Sequence, residues 1–260
     1  MAKCVYTTIE YFPKSFNDES INVAFIFHDA TEGKMYFYRA KNKKRITSFD
    51  DEMTMEEYEM LMDTFERFVT SPFKISLFNQ HNNVVFDNNY LFSIKNSFLN
   101  EFRFSKISKI ISENVKQDVE NLLKLSLYYD FEKKDRLKPE MVEKVLRKNI
   151  IQQLQFNNKD YETDYAINDF GFGETIKVDF VFENTYIKIL NLQSDKFTNK
   201  INTAKAWAFN KKYFDDRKKR IVFALPIEPS SDAENAYVKI LRSTDAEVCY
   251  MDDISRIINY

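Results

Sequence analysis

Residues 175–193 read "TIKVDFVFENTYIKILNLQ". Two runs rich in β-branched and aromatic residues flank the turn residues "ENT", a pattern expected of two paired strands. Asp179 lies in the first run; Asn191 and Gln193 lie at the end of the second. Phosphodiester hydrolysis on such a hairpin would need carboxylates around a divalent ion, because Mg²⁺ is hard and strongly hydrated. It would also need a lysine to offset charge building on the phosphate. One acid and two amides supply neither, so the stretch speaks more clearly about fold than about chemistry.

The surrounding residues extend the pattern. "PEMVEKVLRKNIIQQLQF" (139–156) is a helix, with Pro139 suited to its first turn. Two or three strands follow around a "GFG" turn. "NKINTAKAWAFNKKYF" (199–214) is a helix, and "RIVFALP" (220–226) is apolar enough for a buried central strand. "SDAENAYVKILRST" (231–244) gives a helix, "AEVCYM" (246–251) a strand and "DDISRII" (252–258) a short closing helix. The order α-β-β-β-α-β-α-β-α calls for parallel crossovers, with helices on both faces of a sheet.

That order resembles the core of the PD-(D/E)XK, or restriction-endonuclease-like, nucleases over residues 139–260. The resemblance implies an acid on the first helix, an Asp on one hairpin strand and a Glu-x-Lys pair on the next. Asp179 falls at the Asp, Asn191 and Gln193 fall at the Glu and Lys, and Glu140 or Glu143 falls at the helix acid. Alternation puts residues 191 and 193 on one strand face and Lys188 on the other. With amides in place of the charged pair, the expectation is a degraded site with no metal and no cofactor. An active enzyme would use Glu143, Asp179, Asn191 and Gln193, or a rearranged set of Asp179, Glu174 and a helix Glu, with Mg²⁺ or Mn²⁺. The plainer alternative is an ordinary hydrogen-bonded polar rim.

In the first half, "KCVYTTIEYFP" (3–13), "SINVAFIFHD" (20–29) and "KMYFYRA" (34–40) read as strands of an antiparallel meander. "TMEEYEMLMDTFERFVTS" (54–71) is a helix, with Thr54 and Glu57 spaced as a capping box. "NVVFDN" and "YLFSIKN" are candidate strands, and "ISENVKQDVENLLKLSLYYDF" (111–131) is a second helix. The opening "YTTIEYFPKSFNDESINVAFIF", through Tyr11, Pro13, Glu19, Asn22 and Val23, resembles a bacterial domain-of-unknown-function family of the 3037 type. That resemblance implies an architecture and a bacterial or mobile-element host, and no activity. The charged stretch "EKKDRLKP" (132–139) reads as a linker between an α+β domain (1–134) and an α/β domain (137–260).

Only three glycines occur in 260 residues, so no glycine-rich phosphate cradle is present. The net charge of −2 is spread evenly, without the basic excess of a typical nucleic-acid binder. Local basic clusters are Lys43, Lys44 and Arg45 in "KNKKR", and Lys218, Lys219 and Arg220 in "DDRKKR". Both read as turns, with phosphate contact as the alternative. Trp207 among lysines could stack a base, though its helical spacing with Ala204 suits a core face. Cys4 and Cys249 stand far apart in apolar runs, a pattern that indicates neither a disulfide framework nor a zinc site. His28 and His81 stand in no nucleophile context.

The sharpest charge feature is "DDEMTMEEYEMLMDTFE" (50–66), with eight acids and no base. Its Glu52, Glu56, Glu57, Glu59 and Asp63 are candidates for docking a basic partner surface. The expectation is a cytoplasmic, non-enzymatic interaction or inhibitor protein of bacterial or phage origin, plausible in defence or counter-defence. A protein partner is preferred and nucleic acid is the alternative. No signal core or membrane-spanning run is seen.

Overall fold

In the computed structural model, residues 1–13, 20–70, 89–95, 101–168, 175–191, 197–216, 219–227, 229, 232–243 and 246–258 are described. They form two units, Met1–Arg136 and Leu137–Tyr260.

The first unit grows from β1 (Ala2–Tyr11), which pairs antiparallel with β2 (Ile21–Asp29). β2 pairs in turn with β3 (Lys34–Arg39). Asp29 makes the β2–β3 turn, its Oδ1 accepting from the Thr31 and Glu32 amides at 3.0 and 3.2 Å. Gly33 completes the turn at φ +66°, where a side chain would be strained. The far edge of β1 is shared: β4 (Phe102–Phe104) covers its end and β5 (Ser108–Ser112) its start.

Residues Cys4–Ile9 are all buried, so both faces of β1 are covered. On one face lies α2 (Met55–Thr70), whose Tyr58, Met62, Phe65 and Val69 pack in one cluster with Val5, Ala24 and Ile26. Rings form a ladder across neighbouring strands, Tyr6–Phe25 at 6.1 Å, Phe25–Tyr38 at 6.4 Å and Phe27–Tyr36 at 6.2 Å. The helix α4 (Val115–Ser126) lies against β2. The capping box forms: the Glu57 amide donates to Thr54 Oγ1 at 3.3 Å, and the Thr54 amide to Glu57 Oε2 at 3.0 Å.

Three expectations for this half are corrected. "KNKKR" is not a turn, because α1 (Lys43–Phe49) starts there, capped by Asn42 Oδ1 accepting from the Arg45 amide. "YLFSIKN" gives the short helix α3 (Tyr90–Ile94) instead of a strand, with Tyr90, Leu91 and Ile94 on its buried side. The helix expected from residue 111 starts later, at Val115, since the β-branched residues before it complete β5. "NVVFDN" lies outside the described residues.

The second unit begins with α5 (Pro139–Phe156). Then come β6 (Glu162–Ile167), β7 (Ile176–Phe182) and β8 (Thr185–Ile189). α6 (Phe197–Asp216), β9 (Arg220–Leu225), α7 (Asp232–Arg242), β10 (Glu247–Tyr250) and α8 (Ile254–Ile258) complete it. The sheet order is β10-β9-β8-β7-β6. β6, β7 and β8 run antiparallel, while β8–β9 and β9–β10 are parallel. Each parallel step is bridged by a helix, α6 then α7, as crossovers require. β9, the apolar strand, lies inside the sheet, where Ile221–Leu225 are buried. The two units together are α+β, one antiparallel sheet and one mixed sheet with their helices.

Candidate functional site

The β6–β7–β8 register builds a row of charge. Thr163 pairs with Phe180 and Tyr165 with Val178, so Asp164 stands opposite Asp179. Phe180 pairs with Ile187, and the next antiparallel step sets Lys188 opposite Asp179 on its other side. Asp164, Asp179 and Lys188 therefore line up across three strands. Asp164 adopts φ +54°, a left-handed conformation that Asp tolerates better than most residues.

Arg147 of α5 closes the row. Its Nη2 is 2.6 Å from Asp164 Oδ2 and its Nη1 is 3.2 Å from Asp179 Oδ1. Asp179 Oδ2 accepts the Ile189 amide at 2.7 Å and faces Lys188 Nζ at 3.0 Å. The Arg147 guanidinium lies 5.0 Å from the Phe180 ring centroid, and Lys188 Nζ 5.6 Å from that of Trp207. Two carboxylates and two cations thus balance around a buried Asp179. Both oxygens of Asp179 are engaged, so it has little capacity left for an ion. These residues do not fit a divalent metal, and no step through one follows from them. Among the described residues, no group of three or more His, Cys, Asp or Glu is placed to hold a metal ion.

The sequence-derived site residues scatter. Asn191 lies beyond the end of β8, and its Nδ2 donates to the Pro139 carbonyl at 2.8 Å, pinning the start of α5. Glu140 and Glu143 are exposed on α5, and Arg147, one turn past Glu143, reaches Asp179 in their place. Gln193 and Glu174 lie outside the described residues. Lys188, set aside because of its strand parity with Asn191, is the residue that meets Asp179. A count along the sequence carries that signal: Asp179 and Lys188 each stand four residues from the Glu183–Asn184 turn. Nothing comparable in the sequence points to Arg147 or Asp164.

The acidic run of the first unit divides. Glu59 and Asp63 contact Arg39 Nη1 at 3.6 and 2.7 Å, and Glu66 joins them on the same guanidinium. These three acids share one guanidinium within the unit, which offsets one of their three charges. Glu56 is exposed. Glu52 and Glu57, with Asp50, Asp51 and Glu101, instead line an open cleft of about 680 Å³. Pro13, Phe49, Met53, Met60 and Leu61 supply its apolar lining. The Tyr11 hydroxyl donates to Asp50 Oδ2 at its wall, and burial with that carboxylate pushes the Tyr11 pKa up.

The basic candidates are mostly engaged at home. Arg220 makes a two-pronged contact with Glu247, both bonds at 2.8 Å. Lys219 Nζ donates to the Tyr186 hydroxyl at 2.5 Å. Arg45 lies over Tyr129 at 6.0 Å, while Lys44 is exposed. The Lys43 side chain and Lys218 lie outside the described residues. Trp207 is buried edge-on to Phe223 at 5.7 Å, in a core position rather than on a stacking platform. His28 is buried; His81 lies outside the described residues.

The model of a family described as "Protein of unknown function (DUF3037)" matches residues 6–126. That match supports a DUF3037-type domain in the N-terminal part of the chain. The match spans β1 to α4 of the first unit and stops short of the second. No curated protein and no solved structure matches the chain. No helix among the described residues is long and apolar enough to cross a membrane.

Proposed function

We propose that the chain is a non-catalytic binding protein, in which a DUF3037-type domain is joined to a restriction-endonuclease-like scaffold whose metal-holding position has been neutralised. The order α5-β6-β7-β8-α6-β9, with an antiparallel hairpin passing into parallel strands, supports that reading of the scaffold. The observation that carries the loss of catalysis is the state of Asp179. Arg147 and Lys188 take the positions around it that an ion and its water would need, at 3.2 and 3.0 Å. A guanidinium offers positive charge without a coordination site, so it can hydrogen-bond a water but cannot ligate one and lower its pKa as a metal ion does. The preferred partner is a protein, since three of the four described basic candidates, Arg45, Lys219 and Arg220, have contacts within their own units.

The test is a plasmid-cleavage assay with Mg²⁺ and Mn²⁺, run alongside calorimetric titration of each ion and with Asp179→Ala as control. The expected result is neither cutting nor measurable ion binding. Metal-dependent cutting abolished by Asp179→Ala would overturn the proposal and favour a nuclease with a rearranged site.

A further inference from the structure

We propose that the cleft of the N-terminal unit holds a basic segment of a partner protein, anchored by one apolar side chain. This deepens the binding-protein reading and rests on it. Three observations converge on this occupant. The cleft is open and of about 680 Å³, within the roughly 300–1,000 Å³ of pockets that hold compact ligands. Its described lining residues include five acids and no Lys or Arg. About half of the lining is apolar in kind, and Met60 is 63% exposed at its edge.

The charge argument is specific about which acids do the work. Asp50 is held by the Tyr11 hydroxyl and Glu57 by Thr54, so these two carboxylates have local partners. Glu59, Asp63 and Glu66 surround Arg39. Asp51 and Glu52 remain as exposed carboxylates at the cleft. A cation arriving there meets a field that no described lining residue cancels. Phosphate-rich or anionic surfaces are repelled by the same field, which disfavours nucleic acid and acidic membranes. The acids alone would attract any polycation. Phe49, Met53, Leu61 and Met60 add a surface that rewards a buried aliphatic or aromatic group, and methionine adapts its shape to such a guest. Attraction by the acids with anchoring by the apolar floor describes a peptide with Lys or Arg around a Leu, Met or Phe.

The experiment uses the full chain and fluorescence anisotropy with short labelled peptides carrying Lys and Arg around a single Leu. Parallel peptides replace the Leu by Ala, or the basic residues by Glu, and unlabelled spermine serves as a free polycation. The expected result is binding of the first peptide, weakened about tenfold or more when Leu becomes Ala. Binding should also fall about tenfold in the Asp51→Lys/Glu52→Lys protein and decline with added salt. Met60→Gln, a neutral polar replacement, should weaken the Leu peptide and leave the Ala peptide unchanged; Met60→Ala, milder at an exposed site, gives the same direction. Circular dichroism of each variant verifies folding. Failure of every peptide to bind overturns the inference, as does equal binding of the Leu and Ala peptides. Displacement by spermine at matched charge, or indifference to the Asp51 and Glu52 changes, overturns it as well. None of these outcomes touches the cleavage assay, so loss of the cleft inference and loss of the non-catalytic reading are told apart.

Discussion

Replacing Arg147 by Met tests whether a side-chain cation has taken over the work of an ion at Asp179. The substitution keeps an apolar stem of similar length to pack on Phe180, and removes only the guanidinium. Breaking a buried ion pair by removing one partner costs about 3–5 kcal/mol. Here the loss is smaller, because Lys188 at 3.0 Å and the Ile189 amide at 2.7 Å stay on Asp179. The link to Asp164 adds little, since that carboxylate is 70% exposed and well solvated. An estimate of about 2 kcal/mol follows, or roughly 6–10 °C in the melting temperature of a unit this size. Trp207, the chain's only tryptophan, lies in that unit and reports its unfolding by fluorescence. The variant also uncovers Asp164 and Asp179, two carboxylates facing across neighbouring strands. Mg²⁺ should then raise its melting temperature, by the equivalent of about 1.4 kcal/mol at ten times the dissociation constant. The wild-type protein should show no such shift. In an Asp179→Asn background, Arg147→Met should cost markedly less, since the pair is already broken. Equal stabilisation of wild type and variant by Mg²⁺ would refute the reasoning, as would an unchanged melting temperature in the single variant.

Two further outcomes follow from local chemistry. Burial pushes the Cys4 thiol up to about 12 and raises that of Cys249 as well, so both stay protonated and shielded at neutral pH. Neither should react with a thiol reagent until its unit opens, and because one lies in each unit, mass-resolved labelling during urea unfolding should report the two separately; rapid labelling of either in the native protein would contradict the packing. The Thr54 hydroxyl and amide lower the Glu57 pKa from its ordinary 4.5. A depressed folded-state pKa gives stability that is present above the unfolded value and lost as pH falls through the folded one. The urea midpoint of Glu57→Gln should therefore trail that of wild type at neutral pH and meet it below about pH 4; a gap that persists in acid would sink the assignment of the capping interaction.

How far these features could be read beforehand depends on the range over which each is specified. The strands of the first unit, the capping box and β9 were legible because their signals are local: alternation, a three-residue spacing, an unbroken apolar run. α1 was missed because charged residues that suit a turn also suit a helix start once Asn42 caps it and the Asp130 carboxylate holds the Lys41 and Asn42 amides. That acceptor is supplied from 88 residues away. α3 was missed for a related reason, because five residues of aromatic and aliphatic character fit either period, and packing decides between them.

The charge row shows the same division within one site. Face parity does not reach Asn191, which lies past the end of β8, and parity says nothing about which face Asp179 shares. Pairing decides that, and pairing is set by the turn at Glu183 and Asn184. Once the hairpin closes on those two residues, Lys188 must sit beside Asp179, and Asn191 is carried past the strand end to the first turn of α5. Arg147 is farther from prediction again, since its reach depends on where α5 lies over the sheet. The charge environment of Asp179 is therefore set by cations from α5 and β8. If Arg147 and Lys188 did not converge on Asp179, a lone buried carboxylate would be costly to keep there; their convergence gives that acid charged partners from both α5 and β8.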